Sequence, residues 1–421
     1  MKVRYRYRIY PTHQQRRELE KVFGCCRVVW NDALALVKAI PRGQKWPSSY
    51  DLLKICITEA KKREDRKWLS EVSNIPLQQT LRDLGVAFKN YFDSKLGKRK
   101  GDPVGFPHFK KKLHRQSVRF TKNGFKIQGN KVYISKIGKI KIVWSRPLPS
   151  EPSSVTVIKE RSGHYFLSFV VEVKPVNIPP KNYSVGVDLG LKTLATLSTG
   201  EKIKGPDLDL IERKIRRGMR KLSRTMPGSK RRERIRLAIA RMEARLANIR
   251  RDFNQKLATR LVRENSIVVL EDLQVSKMVK TRTLARAISK VGWRQIREMC
   301  EAKAAMITNR EVRIIPRYKP TSQICSYCGY KWGKLKLWVR TVVCPKCGTE
   351  HDRDVNAALN ILAAGLADLN GQPRSGVRPR LGATARLPTR QEAAKRSQTG
   401  NSRRCRTRKK PTLPERRKSD L

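Results

Sequence analysis

The chain opens on a strict alternation. Val3, Tyr5, Tyr7 and Ile9 fall on one side and Lys2, Arg4, Arg6 and Arg8 on the other, the period of a strand with one buried face. Pro11 and Thr12 close it. Leu19, Val22, Phe23, Cys26, Val29, Trp30 and Ala33 then recur at helical spacing, and helical signals continue to about Leu96, broken near Pro41 to Pro47 and at Pro76. From Gly101 the period returns to two. Short alternating runs cover 117–120, 125–128, 131–134, 140–144, 154–158 and 165–173, several of them separated by Gly and Asn turns, the pattern of a small β-barrel or sandwich. The first strand can pair with these later ones, which makes the helical block an insertion into an N-terminal β unit.

Residues 176–181, with Pro179-Pro180, have the composition of a linker. Buried strands follow at Tyr183–Leu189 and Thr193–Leu197, then two basic helices split by Met226-Pro227-Gly228-Ser229. In the second, Ile235, Ile239, Met242, Leu246, Ile249, Phe253, Leu257 and Leu261 form one apolar stripe, with Arg241, Arg245, Arg250, Arg251 and Arg260 between them. That basic face is either a solvated surface or a phosphate track. A further apolar strand, Ile267–Leu270, ends in Glu271-Asp272. The order strand, strand, helices, strand predicts an α/β fold. After about Leu369 the periodicity stops, and residues 371–421 carry sixteen Lys and Arg against three Asp and Glu, the composition of a disordered basic tail.

Charge narrows the function class. Ninety-five Lys and Arg against 35 Asp and Glu give a formal +60 over 421 residues, and most of it lies outside the tail. So much like charge repels itself unless a polyanion neutralises it, which points to nucleic acid. No stretch reaches the roughly 18 apolar residues of a membrane helix, and the basic N-terminus lacks an apolar signal core. The expected compartment is the cytoplasm, with the nucleoid. Nine cysteines there do not predict a disulfide framework: four form two tight pairs, and Cys25, Cys26, Cys56, Cys300 and Cys405 are scattered.

The paired cysteines are Cys325-Ser326-Tyr327-Cys328-Gly329 and Cys344-Pro345-Lys346-Cys347-Gly348, with fifteen residues between the pairs. This spacing fits a tetrahedral four-cysteine zinc ribbon, the alternatives being a redox dithiol or chance. Four protein ligands leave no open position, so one zinc there is structural.

Three acids stand out by context. Asp188 ends Val185-Gly186-Val187-Asp188-Leu189-Gly190, where Gly186 and Gly190 are expected to leave space around it; Glu271 ends its own apolar strand; Asp354 starts a helical pattern. Each alone has an ordinary explanation, as a turn cap, an arginine partner or a helix N-terminal acid. Together they suggest a divalent-metal cluster, because two carboxylates at ~4 Å repel by about 4 kcal/mol at an effective dielectric near 20 unless Mg²⁺ or Mn²⁺ sits among them.

Gly186-Val187-Asp188-Leu189-Gly190-Leu191-Lys192, Val268-Val269-Leu270-Glu271-Asp272-Leu273, the ribbon after Thr321-Ser322-Gln323, and Asp352-Arg353-Asp354-Val355-Asn356-Ala357-Ala358 occur in one order. So arranged, the chain resembles the TnpB (OrfB) family of bacterial and archaeal insertion sequences, related to the type V CRISPR nucleases. Tyr10-Pro11-Thr12, Gly105-Phe106-Pro107-His108-Phe109-Lys110 and Gly292-Trp293 agree, and the resemblance spans residues 1 to about 365. It implies an RNA-guided DNA endonuclease with an RNase H-like (RuvC) α/β core. It implies Asp188, Glu271 and Asp354 as catalytic acids holding Mg²⁺, two ions in number. The other lobe would be a β-barrel wedge (1–14 and 101–178) with a helical recognition insert (15–100). The nuclease part would be 179–318 and 352–370, with the ribbon at 319–351 between. The implied partners are a guide RNA transcribed from the element end and a double-stranded DNA target. Tyr50, Asn74 to Gln78, Thr121 and Lys122 match segments that read the motif beside the target. Two other readings stay open: a nuclease-inactive guided regulator, which the presence of all three acids disfavours, and an unguided zinc-ribbon DNA-binding protein, which leaves those acids unexplained.

Overall fold

Thr12 stands between the first strand and the first helix and caps the helix. Its hydroxyl accepts from the Gln15 N–H at 3.3 Å while the Gln15 side chain accepts from the Thr12 N–H at 3.0 Å, a reciprocal cap. In the computed structural model the described residues are 1–367 apart from Arg42, Lys100, Gly101, His114, Thr281, Tyr318 and Leu337, together with the side chains of Ser276, Lys277 and 282–284. The expected tail at 371–421, with Cys405, lies outside them.

Strand β1 (Lys2–Tyr10) leads into α1 (His13–Ala39), whose expected stripe is buried in full and extends to Cys25, Leu34 and Val37. A short α2 (Ser49–Leu53) and π and 3-10 turns through Glu71 follow, then α3 (Asn74–Lys95). Pro76, expected to break a helix, instead sits in the first turn of α3, where its missing N–H has no intrahelical partner to lose. The segment 105–110 is laid across these helices. Trp30 Nε1 donates to the His108 carbonyl at 3.0 Å, Asn31 accepts from the Lys110 N–H at 2.8 Å, and Phe106 joins Trp46, Phe88 and Tyr91 in an aromatic cluster.

Six strands then follow: β2 (Gln116–Thr121), β3 (Phe125–Gln128), β4 (Lys131–Ile134), β5 (Gly138–Val143), β6 (Ser154–Lys159) and β7 (Tyr165–Glu172). With β1 they form a seven-stranded antiparallel sheet ordered β2-β6-β7-β1-β5-β4-β3, a near-closed barrel. The N-terminal strand is therefore central, paired with β7 from Lys2 opposite Glu172 to Ile9 opposite Tyr165, and the helices are inserted between it and the rest of its own sheet. Tyr7 and Ile9 are fully buried, while Val3 and Tyr5 are partly so.

The second half is built on β8 (Asn182–Asp188), β9 (Ala195–Leu197), β10 (Lys202–Ile203), α4 (Asp209–Ser223), α5 (Lys230–Glu264) and β11 (Asn265–Glu271). It continues with α6 (Val275–Met278), α7 (Arg282–Val291), α8 (Trp293–Ala304) and β12 (Glu311–Ile315). The ribbon strands β13 (Thr341–Val343) and β14 (Glu350–Asp352) and the helix α9 (Arg353–Leu366) complete it. The sheet is mixed, ordered β10-β9-β8-β11-β12, with β8, β11 and β12 parallel. The end of α5 packs Leu257, Ala258, Leu261 and Val262 into this core. Of the stripe expected along α5, only Ile239, Leu257 and Leu261 are fully buried; Ile239 packs on Gly218 of α4, and the last two enter the sheet core. Among the described residues no helix is long and apolar enough to cross a membrane.

Candidate metal centres and active site

Asp188 is the last residue of β8, and Glu271 the last of β11. The strands are parallel neighbours, and the register that sets Leu270 against Val187 carries Glu271 to the level of Asp188. Asp354 arrives from the first turn of α9. That helix lies on the sheet backbone to backbone. A Cβ on Gly186 would stand 2.2 Å from the Ala358 carbonyl oxygen, and one on Gly365 would stand 2.3 Å from Val269 Cγ1. Gly186 therefore does not leave open space beside Asp188; the space is filled by the helix that brings Asp354. Gly190 is closed too, with Thr193 O 2.7 Å from where a Cβ would sit.

The three carboxylates share one field. Burial first, then the charges of Glu271 and Asp354, push Asp188 up to about 7, while Arg353 and the Leu189 N–H pull the other way. Burial also raises Glu271, opposed by the Thr321 hydroxyl, which donates to Glu271 Oε1 at 2.7 Å. Asp354 accepts from Arg340 Nη1 at 3.2 and 3.4 Å. The acids are not as tightly drawn together as the cysteines: among the described residues, the metal-ligating side chains whose ligand atoms all lie within 4.8 Å of one another are Cys325, Cys328, Cys344 and Cys347. Beside Glu271 is a cleft of ≈ 530 Å³ lined by Leu189, Trp293 and by Arg294, Arg297 and Arg317, which are paired with Asp102, Asp272, Glu298 and Glu301 of the same lining. Trp293 Nε1 donates to Gly190 O at 3.3 Å and so braces the loop after Asp188.

The cysteines fit zinc. Tetrahedral bonds of about 2.3 Å require sulfur–sulfur edges of roughly 3.8 Å; Cys325 and Cys347 are 3.8 Å apart, and Cys328 and Cys344 are 3.5 Å apart. Both knuckles close alike. Gly329 and Gly348, at φ +75° and +68°, donate their N–H groups to Cys325 O at 3.0 Å and Cys344 O at 2.9 Å. The Thr349 hydroxyl, 3.2 Å away, and its N–H hold the Cys347 thiol down at about 6, which favours the thiolate a metal requires. His351 Nε2 stands 3.0 Å from Cys325 Sγ.

Ribbon and acids are joined by two asparagines. Asn356, buried in α9, accepts from the Ser326 N–H and donates to Ile324 O, both at 2.8 Å. One turn on, Asn360 donates to Thr321 O and Ile324 O, both at 2.7 Å. The entry to the first knuckle is thus tied to the helix carrying Asp354 and, through Thr321, to Glu271. The roles of Thr321, Asn356 and Asn360 do not follow from the motifs. Their one signal is two polar, poor helix-forming asparagines four residues apart among the buried Ala357, Ala358 and Ile361.

The residues matched to target reading divide. Asn74 and Gln78 are exposed at the start of α3, where Asn74 accepts from Lys61. Thr121 and Lys122 lie in a turn that packs on the same helix, with Ile75 Cδ1 3.1 Å from a Cβ placed on Gly124. Tyr50 is exposed on α2, which meets α3 further along, at Gly85.

Three family models match the chain: residues 168–282 the IS605 OrfB model, described as "Probable transposase", and residues 293–361 a "Cas12f1-like, TNB domain". The third, at 1–45, is described as "Helix-turn-helix domain", where the structure has strand β1 and the single helix α1. A curated relative from Streptomyces pristinaespiralis, named "Putative RNA-guided DNA endonuclease", is 43% identical over 368 residues, covering 86% of this chain and 89% of its own. One with the same leading name from Escherichia coli K12 is 30% identical, covering 87% and 92%. A solved Cas12f1-sgRNA-target DNA complex is similar at 15% identity and a TM-score of 0.45, covering 83% of this chain and 82% of that one. At such identity over nearly the whole length of two curated relatives, the chain belongs to the IS605 OrfB (TnpB) family.

Proposed function

We propose that the protein is an RNA-guided DNA endonuclease whose cutting site is Asp188, Glu271 and Asp354, with the four-cysteine ribbon as a structural zinc site. One observation carries the site: the parallel register of β8 and β11 levels Glu271 with Asp188, and α9, packed on Gly186, brings Asp354 close enough that its charge and that of Glu271 add to burial in raising Asp188 above an ordinary carboxylate. Such mutual repulsion is relieved by a hard divalent cation, and Mg²⁺ suits all-oxygen ligands. When bound, two such ions supply an activated water and stabilise the leaving oxygen of a phosphodiester. The chain's own part is to place the ligands. Thr321 orients Glu271, the α9 contact at Gly186 fixes Asp354, and Arg340 neutralises Asp354 until a cation takes its place.

The sheet order, third-second-first-fourth-fifth with acids ending the first and fourth strands, supports an RNase H-like (RuvC) assignment for 179–318 and 352–370. We assign the wedge to 1–14 and 101–178, the recognition insert to 15–100 and the ribbon to 319–351. The partners are a guide RNA from the element end and duplex DNA; pairing supplies sequence specificity, with Tyr50, Asn74, Gln78, Thr121 and Lys122 toward the adjacent motif. The test is cleavage of a guide-matched duplex. Asp188→Ala should lower the Mg²⁺-dependent rate by at least about 10³-fold while RNA binding persists. Equal cutting by the variant would reject the site, and copurification of random cellular RNA would reject the guide.

A further inference from the structure

The seam between the barrel and α5 holds more positive charge than it neutralises. Arg6 and Arg8 alternate with the buried Tyr7 and Ile9 and so face away from the barrel core. Phe166, opposite Arg8 in the β1–β7 register, lies under both guanidinium groups, whose carbons are 3.6 Å (Arg6) and 5.1 Å (Arg8) from its ring centroid. Arg6 donates to Glu160 at 2.5 Å. Glu160 begins the tight turn from β6 to β7, closed by its N–H donating to His164 O and by Gly163 N–H donating to Glu160 O, both at 2.9 Å. This turn meets α5, since a Cβ on Gly163 would stand 3.6 Å from Leu237 Cδ1. One helical turn beyond is the exposed Arg241. Burial, then Arg8 and Arg241, hold His164 below its ordinary value, and Glu160 opposes them.

Glu160 is paired with Arg6 and lies in the field of Arg8, while Arg241 lies on the α5 side of the same turn. Three polar atoms there are buried without a hydrogen-bond partner among the described residues, Arg6 Nε, Arg8 Nε and Ser162 Oγ, and Ser162 is 2% exposed in the same turn. Buried donors left unpaired are costly, and guanidinium forks match phosphate oxygens.

We propose that this seam is a phosphodiester seat, in which Arg6, Arg8 and Arg241, with the Ser162 hydroxyl, hold one phosphate of a nucleic acid running from the barrel onto α5. The seat deepens the nucleic-acid reading above by naming where a backbone crosses between the two halves. Phe166 holds two of the cations in position in advance, so little side-chain freedom is lost on binding. Guide RNA and target DNA share the chemistry, and the probes separate them.

The experiment uses the full chain with Asp188→Ala, so that nothing is cut. Short single-stranded RNA, single-stranded DNA of the same sequence and duplex DNA are titrated over a salt series. Arg8→Gln and, because Arg8 is part of a sheet, the surface variant Arg241→Gln should each bind about tenfold more weakly. Each lost phosphate contact should flatten the log–log salt slope by about 0.7 for single strands or 0.9 for duplex. Loss on RNA alone assigns the seat to the guide, loss on DNA alone to the target, and loss on both to a shared track. Unchanged affinity and slope on every probe overturns the seat. So does an equal effect from Lys67→Gln, an exposed lysine paired with Glu64 in the helical insert. Binding is read without cleavage, so the seat can fail while Asp188-dependent cutting stands, and cutting can fail while the seat stands.

Discussion

Two clusters of anionic ligands sit side by side in this protein, and they are built in opposite ways. The thiolates come as two local knuckles, each fixed by its own turn, and they already stand at distances a tetrahedral ion needs. The carboxylates come from three elements distant in the chain, stand further apart, and are satisfied for the moment by Thr321 and Arg340. A closed four-ligand site has no position left for chemistry, whereas an open one must trade its present partners for cation and substrate. The first kind of site is stabilising, and the second carries a cost: like charges are brought together in a buried place and one of them becomes harder to ionise. Asn356, Asn360 and Thr321 connect the two, so the stable site can position the costly one.

That contrast breaks most completely if the ribbon is opened. Cys344→Ser should release the zinc, counted by metal analysis at about one per chain in the parent. It should unfold the ribbon locally, since structural zinc is worth on the order of 10 kcal/mol in small domains. Cutting should fall with it by more than about 100-fold, because Thr321 and both asparagines would lose their partners. Full cutting by a zinc-free variant would show that the two sites are independent. A smaller effect is expected at the sheet. Gly186→Ala forces a methyl to within 2.2 Å of the Ala358 carbonyl, so α9 must lift, at about 3 kcal/mol in thermal unfolding, with zinc retained and Asp354 displaced. An unchanged melting temperature would count against the backbone contact as the device that aims Asp354.

The same contrast explains what the sequence made legible. The knuckles are local, so spacing alone predicts them, and the glycines after each cysteine pair take the left-handed turn that their place requires. The barrel strands are legible for a like reason: alternation over 125–128 and 131–134 returns the observed limits of β3 and β4. The convergence of Asp188, Glu271 and Asp354 is not local. Two apolar strands ending in acids suggest it, but only the parallel register and the Gly186 contact bring the three together. Gly186 misled because a glycine reads as empty space in a sequence, whereas here it marks where another backbone lies.

Between the two sites the link itself can be cut. Asn356→Ala removes both hydrogen bonds to the first knuckle without touching a thiolate or an acid. Zinc content should stay at one, stability should fall by about 2 kcal/mol, and the cutting rate by about 10–100-fold, the range for a lost supporting partner of a metal ligand. If the asparagine acts by positioning, added Mg²⁺ should restore part of the rate, and Asn356→Asp, which keeps the acceptor for the Ser326 N–H, should do better than alanine. A rate unchanged by the alanine would leave the asparagines as packing only.

The smallest effect separates the sites by pH. Asp188, held up to about 7 by burial and by its two neighbours, is largely protonated in the metal-free protein at pH 6. An ion binds the carboxylate and not the acid, so it must displace that proton. The folded-state value lies above that of the unfolded chain, so Asp188 favours the metal-free fold at acidic pH. That contribution is lost as pH rises from about 4 through about 7, the window in which Mg²⁺ would begin to bind at the proposed site. Mg²⁺ affinity, read as the rise in melting temperature with added ion, should therefore fall about tenfold from pH 8 to pH 6 and level off above pH 8. Asp188→Asn should remove this dependence. Zinc retention should stay flat across the same window in the same samples, because a bound metal keeps its cysteine ligands as thiolates well below their free values. If Mg²⁺ affinity proves flat as well, Asp188 is ionised without the ion, and the repulsion that marks the open site is weaker than its geometry requires.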